Sequence, residues 1–457
     1  MASFSESNKK PLWLDEAYSY YRDIRNTSVG YLIAYGAPPQ GSRAPLDYLA
    51  VKVLFKMRNA INYIYLSPFQ YYRLVATLAP CIAVVIGFLV VARKEPGLAS
   101  VISYLLAAIT LLFNRTILAY AVEMRPYSLW ASLSFLVLLL IRYQEKSKPL
   151  WIIILLLLAL TMTSSIFQLA VLLFAFILAD ILFDSLRVPN RRFFYHVAPI
   201  IFAMLVAFYY ILRQTEKWEF FGPEFGTFTM FLSFWWIYLP IAAISLVASI
   251  IYWQKASKEG FLVNFTIFGW IAMGPIVYFI TRLNGFFFTQ RQFIYYWPAI
   301  AILVFELCRL ILNSSSLREF IKGLKLRSLI AYAACCLLAL LLLSSFAFSH
   351  KYIASPWHLF RLIANSQPKV PLDSEKLYSN ATASLPGSFI FLGSNDKDFT
   401  PSINLRLWWE WLYVKYPPRF FPRSSELVAL VRPEGDNIRI IGIVSRDRAS
   451  AIEQVSR

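Results

Sequence analysis

Long apolar runs recur along this chain, and no other feature of the sequence constrains its fold as strongly. "LVATLAPCIAVVIGFLVVA" (74–92) and "SIFQLAVLLFAFILADILF" (165–183) are two of them. A helix of roughly 20 residues crosses the ~30 Å hydrocarbon core of a bilayer. Only 15% of the 457 residues are charged, against about 25% in soluble domains. The runs therefore predict an α-helical polytopic membrane protein.

The apolar runs divide the chain into a first loop region at 1–71, a transmembrane helical domain at 72–349 and a C-terminal domain at 350–457. We predict ten spans in the transmembrane domain. They cover residues 72–92, 98–118, 127–142, 149–164, 166–183, 195–212, 228–251, 261–280, 294–312 and 327–348.

Basic residues are distributed unequally between the two sides of these spans. The loops after the odd-numbered spans carry 14 Lys and Arg, whereas the short loops on the opposite side carry five. Because basic loops stay in the cytoplasm, residues 1–71 and 350–457 are predicted to be extracytoplasmic. We expect an integral protein of the plasma (inner) membrane.

The first loop region is predicted to contain two short helices. "DEAYSYYRDI" (15–24) favours one, and "PLDYLAVKVLFKMRNAI" (45–61) favours an amphipathic helix on the membrane surface. Its expected apolar face carries Leu46, Leu49, Val53, Leu54, Met57 and Ile61, with Lys52, Lys56 and Arg58 elsewhere. No predicted span precedes this extracytoplasmic loop. We therefore expect either a further transmembrane helix that ends just before Leu12, which we favour, or translocation of the N-terminus as a short tail.

The C-terminal region is predicted to form a small extracytoplasmic α/β domain. "GSFIFLGSND" (387–396) and "IRIIGIVS" (438–445) alternate like strands, and "NLRLWWEWLYVKY" (404–416) is patterned like an amphipathic helix. This region matches no family pattern that we identify.

The net charge of +18 does not indicate nucleic-acid binding, because the basic residues stand at the ends of apolar runs. All four cysteines lie inside apolar runs, which excludes a disulfide framework and a CxxC metal pair. Of the three histidines, none lies in the first loop region, so no metal ligand is assigned.

Three polar groups fall on the predicted extracytoplasmic side. Asp15 and Glu16 precede the spans, Glu123 lies between the second and third spans, and Arg291 stands at the start of the ninth. Each has a structural explanation. Acids in a first helical turn stabilise the helix, Glu123 can belong to a polar turn before Pro126, and Arg291 can anchor an aromatic belt.

These three groups are predicted to lie on the same, extracytoplasmic side. Because charged residues at membrane depth mark functional sites, this shared location favours a functional site over three separate structural roles. Arg43 and the polar loop 213–227 lie on the same predicted side. Arginine binds phosphate oxygens with two donors, and a carboxylate can take the proton of an acceptor hydroxyl. Together these groups favour attack on a phosphate ester whose other half is a lipid.

Four stretches carry a family resemblance. In chain order, "LWLDEAYSY", "SRAPLDYLAVKVL", "AVEMRPYSLWASLSF" and "RQFIYYWPAIAIL" resemble the GT-C superfamily of membrane glycosyltransferases. The resemblance is strongest to the branch that contains protein O-mannosyltransferases and the aminoarabinose transferase of lipid A. It covers residues 12 to about 310, and its most specific part is the Asp-Glu pair combined with Glu-x-Arg-Pro-Tyr.

The resemblance implies a glycosyltransferase with a polyprenyl-phosphate sugar as donor and an active site in the first extracytoplasmic loop. Asp15 would be the catalytic base, supported by Glu16, and Glu123 would be the acid of the second loop. With Asp15 as the base, the reaction is expected to invert the anomeric carbon, and a product that retains the donor's configuration would contradict this.

The resemblance also implies that Arg125, Tyr127 and Arg291 lie near the donor phosphate. Many members have His-Pro-Pro or Glu-Lys-Pro where this chain has Arg43-Ala44-Pro45. Arg43 would place a fixed positive charge in the phosphate-binding group, in place of the usual contact. This departure leaves a divalent metal possible but unsupported, and no cofactor is assigned.

Two other functions remain open. A transporter of a lipid-linked or small solute is disfavoured because no predicted span has a buried acid or a Gly/Pro-broken helix pair. Asp180 and Glu306 are expected to be interfacial. An inactive scaffold with the same fold is favoured by the altered "SRAPL" and disfavoured by the intact Asp15 and Glu16. The pattern does not distinguish a lipid, a glycan and a protein as acceptor.

Overall fold

The structure of the protein is a computed structural model. It describes residues 27–36, 44–60, 73–121, 123, 125–143, 148–183, 191–213, 228–283 and 290–312, and the backbone of three strands near the C-terminus. The described helices belong to one compact unit and the strands to another.

Fourteen α-helices are present among the described residues. They are α1 (Val29–Tyr35), α2 (Leu46–Ala60), α3 (Leu74–Lys94), α4 (Leu98–Leu112), α5 (Arg115–Ala121), α6 (Tyr127–Ile141), α7 (Lys148–Thr161), α8 (Ser165–Phe183), α9 (Arg191–Leu212), α10 (Phe228–Trp236), α11 (Leu239–Gln254), α12 (Lys258–Ala272), α13 (Gly274–Leu283) and α14 (Tyr296–Leu312). A 3₁₀ turn (Gln290–Phe293) precedes α14.

The described part of the chain has four helices long and apolar enough to cross a membrane: 74–94, 165–183, 195–212 and 291–312. The bent pair α12–α13 makes a fifth if it is one span, and α4, α6, α7 and α11 are shorter apolar helices. These helices agree with the predicted helical membrane protein. The predicted span 327–348 lies outside the described residues.

Three predicted spans are interrupted. The predicted span 98–118 is not one continuous helix, because α4 ends at Leu112 and α5 begins after Asn114. The Asn114 side chain accepts hydrogen bonds from the backbone N–H of Thr116 and Ile117, at 3.0 and 3.1 Å. Such a cap starts a new helix. The predicted span 228–251 likewise breaks between α10 and α11, where Pro240 occupies the first turn.

The predicted span 261–280 bends by 43° between α12 and α13. Pro275 has no N–H for the carbonyl of Ile271, four residues earlier. That carbonyl accepts a hydrogen bond from Trp235 Nε1 at 2.8 Å instead. A Cβ on Gly274 would lie 2.5 Å from the Tyr296 hydroxyl and 2.7 Å from Trp235 Cδ1, so glycine is needed here. Contrary to our expectation, the chain does contain a Gly/Pro-broken helix pair.

Helix α6 lies at the centre of the helical unit and is buried on all sides. It packs against α3, α5, α7, α12 and α14. Trp130 Nε1 donates to Gln168 Oε1 at 2.6 Å, and Gln168 Nε2 donates to Ser134 Oγ at 3.0 Å. Polar groups away from water need such partners, and these bonds fix α6 against α8.

The predicted helix at 45–61 is present as α2, but its buried face differs from the expected one. The side chains buried against the protein are Asp47, Tyr48, Val51 and Lys52, whereas Val53 and Met57 of the apolar face are exposed. Because Val53 and Met57 are exposed while Asp47 and Lys52 are buried against the protein, this face of α2 suits a lipid-facing position. The predicted helix at 15–24 lies outside the described residues.

Both strands predicted in the C-terminal region are present, as β1 (Ser388–Phe391) and β3 (Asn437–Ser445). A third strand that we did not predict, β2 (Leu427–Glu434), lies between them in the sheet. β1 and β2 are parallel, and β2 and β3 are antiparallel with an irregularity between Leu430 and Val431. The parallel pair requires a long crossover. The predicted helix 404–416 falls within that connection, outside the described residues.

Candidate functional site

The candidate site forms around the connection between α5 and α6, which is held against the start of α3. Pro80 removes the N–H that would bind the carbonyl of Ala76, and Ser128 Oγ donates to this carbonyl at 2.7 Å. Thr77 Oγ1 donates to the carbonyl of Ala121 at 2.7 Å. Two hydrogen bonds therefore fix the loop that carries Glu-x-Arg-Pro-Tyr.

Within this loop the predicted acid is buried. Glu123 is 4% exposed, and its backbone N–H donates to the carbonyl of Tyr120 at 3.2 Å. Arg125 is half-buried, and Tyr127, the first residue of α6, is buried. A buried carboxylate beside an arginine is the arrangement expected of a functional site in a membrane protein.

Arg291 reaches the same place from a distant part of the chain. Its guanidinium carbon lies 5.5 Å from the centre of the Tyr127 ring, within the range of a cation–π contact. The Tyr127 ring lies 5.0 Å from that of Tyr120, centre to centre. The structure thus brings Arg291 of the predicted ninth span to the tyrosine of Glu-x-Arg-Pro-Tyr.

Tyr120 is a neighbour that we did not predict. Burial raises the pKa of its hydroxyl, and the negative charge of Glu123 raises it further, whereas Arg291 and Arg125 lower it. The hydroxyl therefore stays protonated and can donate a hydrogen bond. Three predicted site residues, Glu123, Arg125 and Arg291, therefore all influence the Tyr120 hydroxyl.

Asp47 is the second residue that sequence reasoning missed. It is 3% exposed and lies in the first turn of α2. Burial raises the pKa of its carboxyl from 3.8 to about 7, while the positive charge of Arg125 opposes the rise. The available signal was that Asp47 is the sole acid of α2, off its apolar stripe.

We call Asp47, Tyr120, Glu123, Arg125, Tyr127 and Arg291 the charged cluster. Its residues lie in the first turn of α2, in the last turn of α5, in the α5–α6 connection, at the start of α6 and in the 3₁₀ turn before α14. Helix N-termini carry a partial positive charge and unpaired N–H groups. The two arginines and the N-terminal ends of α2 and α6 favour an anion.

Three predicted site residues, Asp15, Glu16 and Arg43, lie outside the described residues. Of the predicted seven, the structure brings together Glu123, Arg125, Tyr127 and Arg291. No group of three or more His, Cys, Asp or Glu side chains that could hold a metal ion occurs in the described part of the chain.

A second set of charged side chains, buried or partly buried, lies toward the C-terminal ends of α3, α6 and α14. Arg142 forms a two-point ion pair with Glu306, with Nε donating to Oε1 at 2.9 Å. Tyr252 Oη donates to Glu306 Oε2 at 2.8 Å. Arg309 Nη2 donates to Glu95 Oε1 at 2.8 Å. Glu306, which we expected to be interfacial, is fully buried among the described helices.

Asp180, the other acid that we expected to be interfacial, is partly exposed. Its carboxylate accepts a hydrogen bond from Lys258 Nζ at 2.7 Å. A partly exposed ion pair of this kind contributes little to stability.

Comparison with known proteins gives no match: no family model, no curated protein and no solved structure corresponds to this chain.

Proposed function

We propose that this protein is a membrane glycosyltransferase that moves a sugar from a polyprenyl-phosphate donor to an acceptor outside the cytoplasm. The observation that carries the proposal is the charged cluster, in which Arg125 and Arg291 meet Glu123 and Tyr127 at one end of apolar helices. The resemblance to the GT-C superfamily, expected from the sequence, supports the same function.

In the proposed reaction, the acceptor hydroxyl oxygen attacks the anomeric carbon and its proton passes to Asp15, with Glu16 in support. The bond between the anomeric carbon and the phosphate oxygen breaks, and polyprenyl phosphate leaves. The phosphate changes from a diester with one negative charge to a monoester with up to two. Arg125, Arg291 and Arg43 would therefore stabilise the transition state more than the bound donor.

The wider arrangement belongs to the same proposal. Ten spans, a plasma-membrane location, and an extracytoplasmic first loop and α/β domain follow from the basic loops and the apolar runs. The membrane would supply the donor laterally. The acceptor is a lipid, a glycan or a protein.

Mass spectrometry of membrane lipids from cells that lack the gene tests the proposal. We expect a polyprenyl monophosphate sugar to accumulate, and to be cleared by the wild-type protein but not by Asp15→Asn. Equal clearance by both proteins would remove Asp15 as the base. If nothing accumulates, transport or a scaffolding role becomes the better account.

Transport is favoured by one feature, the bend between α12 and α13 at Gly274 and Pro275. Broken helices line substrate sites in many transporters. The buried Glu306 is bound on both oxygens by Arg142, however, which is unlike a carboxylate that exchanges a coupling ion. Uptake of a lipid-linked sugar into vesicles by Asp15→Asn protein would favour transport.

A further inference from the structure

We propose that Trp235 and Tyr296 are positioning residues for Arg291. They hold the bend between α12 and α13 against the start of α14, and this keeps the Arg291 guanidinium over the ring of Tyr127. The inference rests on the proposed function, because Arg291 is one of its phosphate-binding groups. It also gives the bend, which favours transport when taken alone, a role in sugar transfer.

The carbonyl of Ile271 joins three helices at the bend. Pro275 has no N–H to donate to it. Trp235 Nε1, in the last turn of α10, donates to this carbonyl at 2.8 Å, and the hydroxyl of Tyr296, the first residue of α14, donates to it at 3.3 Å. One backbone oxygen of α12 therefore links α10 and α14.

Gly274 leaves the space that these two donors need. A Cβ at this position would lie 2.5 Å from the Tyr296 hydroxyl and 2.7 Å from Trp235 Cδ1, well inside ordinary contact distances. An alanine here would therefore displace both donors from the carbonyl. The proline and the glycine act on the same group: the first removes its regular backbone partner, and the second admits the side chains.

The turn that carries Arg291 rests on the rings of the same two donors. Phe293 belongs to the same 3₁₀ turn and is 1% exposed. Its ring lies 5.4 Å from that of Tyr296 and 5.7 Å from that of Phe231, centre to centre. Phe231 in turn stacks on Trp235 at 6.1 Å. These distances are those of packed aromatic pairs, so the donors and the turn are in contact directly or through one ring.

The start of α14 also meets α6 at two levels. The ring of Tyr295 lies 5.2 Å from that of Trp130 of α6 and 5.9 Å from that of Trp270 of α12. Trp130 comes one turn after Tyr127, which Arg291 contacts at 5.5 Å. A movement of α14 at the bend would therefore change the distance between the guanidinium and the ring. Such a displacement matters, because about 1 Å at a binding group can lower activity about 10²-fold.

Two glycines with matching surroundings provide the test. A Cβ on Gly87 of α3 would lie 2.5 Å from the Tyr104 hydroxyl, which donates to the carbonyl of Val84 at 2.5 Å. Gly87→Ala and Gly274→Ala therefore each disturb a bond from a tyrosine to a helix carbonyl inside the helical unit. The first does so away from Arg291, and the second does so at the bend.

The readout is the affinity of the full-length protein, in detergent micelles, for a short-chain prenyl methyl phosphodiester. We expect Gly274→Ala to weaken binding about tenfold, because a misplaced Arg291 loses part of a charged hydrogen bond to the phosphate. Gly87→Ala should bind the probe like the wild type. Thermal unfolding of both variants shows that they are folded and how much stability each has lost.

Milder variants keep the rings and remove only the donors. We expect Trp235→Phe to weaken binding about fivefold, and Tyr296→Phe to weaken it about twofold because its hydrogen bond is longer. Tyr104→Phe is the matched control, since it loses a buried hydroxyl that also donates to a carbonyl, and it should bind like the wild type.

A positioning role requires that these effects depend on Arg291. In protein that already carries Arg291→Met, Gly274→Ala and Trp235→Phe should cause no further loss of binding. Residues that only stabilise the fold would lower binding by the same factor in both backgrounds.

The outcomes separate this inference from the proposed function. If Gly274→Ala and Gly87→Ala weaken binding equally, or if Gly274→Ala weakens the Arg291→Met protein further, the positioning role is overturned and the anion site stands. If the wild type does not bind the probe, or if Arg291→Met binds it as tightly as the wild type, the assignment of Arg291 to an anion site fails, and the positioning role fails with it.

Discussion

Helices α3, α6 and α14 have charged side chains near both ends, and the contacts of these side chains differ between the two ends. At their C-terminal ends, carboxylates and guanidinium groups close on each other, as in the pair of Arg142 and Glu306. At their N-terminal ends, Arg291 faces the ring of Tyr127 and Asp47 is attracted by Arg125. The first arrangement holds helices together, and the second suits a ligand that brings its own negative charge.

The comparison teaches that buried charge alone does not identify a site. Glu306 is more deeply buried than Glu123, yet its oxygens are bound by Arg142 and Tyr252. What distinguishes the charged cluster is the meeting of carboxyl groups, arginines and tyrosine rings with helix N-termini.

The largest effect is expected from breaking the ion pair between Arg142 and Glu306. Arg142→Met leaves Glu306 buried without its partner, which costs about 3–5 kcal/mol of stability. Thermal unfolding in detergent measures the loss. The double variant Arg142→Met/Glu306→Leu should recover most of it, because no buried charge remains. A double variant as unstable as the single one would contradict the pairing.

Two arginines at opposite ends of α14 offer a matched comparison. Arg291→Met should lower sugar transfer about 10²–10³-fold, because one stabilising group for the phosphate is lost. Arg309→Met should leave the transfer rate of the folded protein near the wild-type value while it lowers stability, since Arg309 binds Glu95. Initial rates at equal amounts of folded protein check both. An equal loss of rate in the two variants would mean that the two ends of α14 do not differ in their effect on sugar transfer.

Asp47→Asn tests the buried acid without any ligand. The raised pKa means that the folded protein holds the proton of Asp47 more tightly than the unfolded chain does. The stabilising contribution is complete below pH 3.8 and is lost as the pH rises through about 7. We therefore expect Asp47→Asn to be more stable than the wild type at pH 8, by up to about 4 kcal/mol, and by less at pH 5. An equal difference at both pH values would contradict the burial of an ionisable group.

The smallest expected effect concerns the ring beneath Arg291. Tyr127→Leu removes a cation–π contact worth about 0.5–1 kcal/mol, so binding of a prenyl phosphodiester should weaken about two- to fivefold. Tyr127→Phe keeps the ring face and should bind like the wild type. If Phe and Leu weaken binding equally, the hydroxyl rather than the ring face supports Arg291.

The sequence predicted the helical elements well where a long apolar run has no interruption, as in α3 and α8. It did not predict the breaks at Asn114 and between α12 and α13, because these depend on where a freed backbone group finds a partner. Asn114 caps its own helix, but the carbonyl of Ile271 needs Trp235 from a distant segment. Such partners are not visible in hydropathy.

The candidate site was predicted only in part, because contacts between distant segments of the chain are not visible in the sequence pattern. Glu123, Arg125, Tyr127 and Arg291 were selected by their shared side and by resemblance, and the structure brings these four together. Asp47 was missed because the apolar stripe of α2 was taken to be its important face, whereas the opposite face is buried. The ion pair of Glu306 was not predicted, because its partner, Arg142, lies 164 residues away.

Photolabelling of the full-length protein tests most directly whether a phosphodiester binds at the charged cluster rather than at the ion pairs of Arg142 and Arg309. The probe is a prenyl phosphodiester with a diazirine next to the phosphate, and labelled peptides are identified by mass spectrometry. We expect labels at residues 120–127 and 290–296, and we expect Arg291→Met to reduce them while Arg309→Met does not. Labels at Arg142 or at residues 306–309, with none in the charged cluster, would contradict the account.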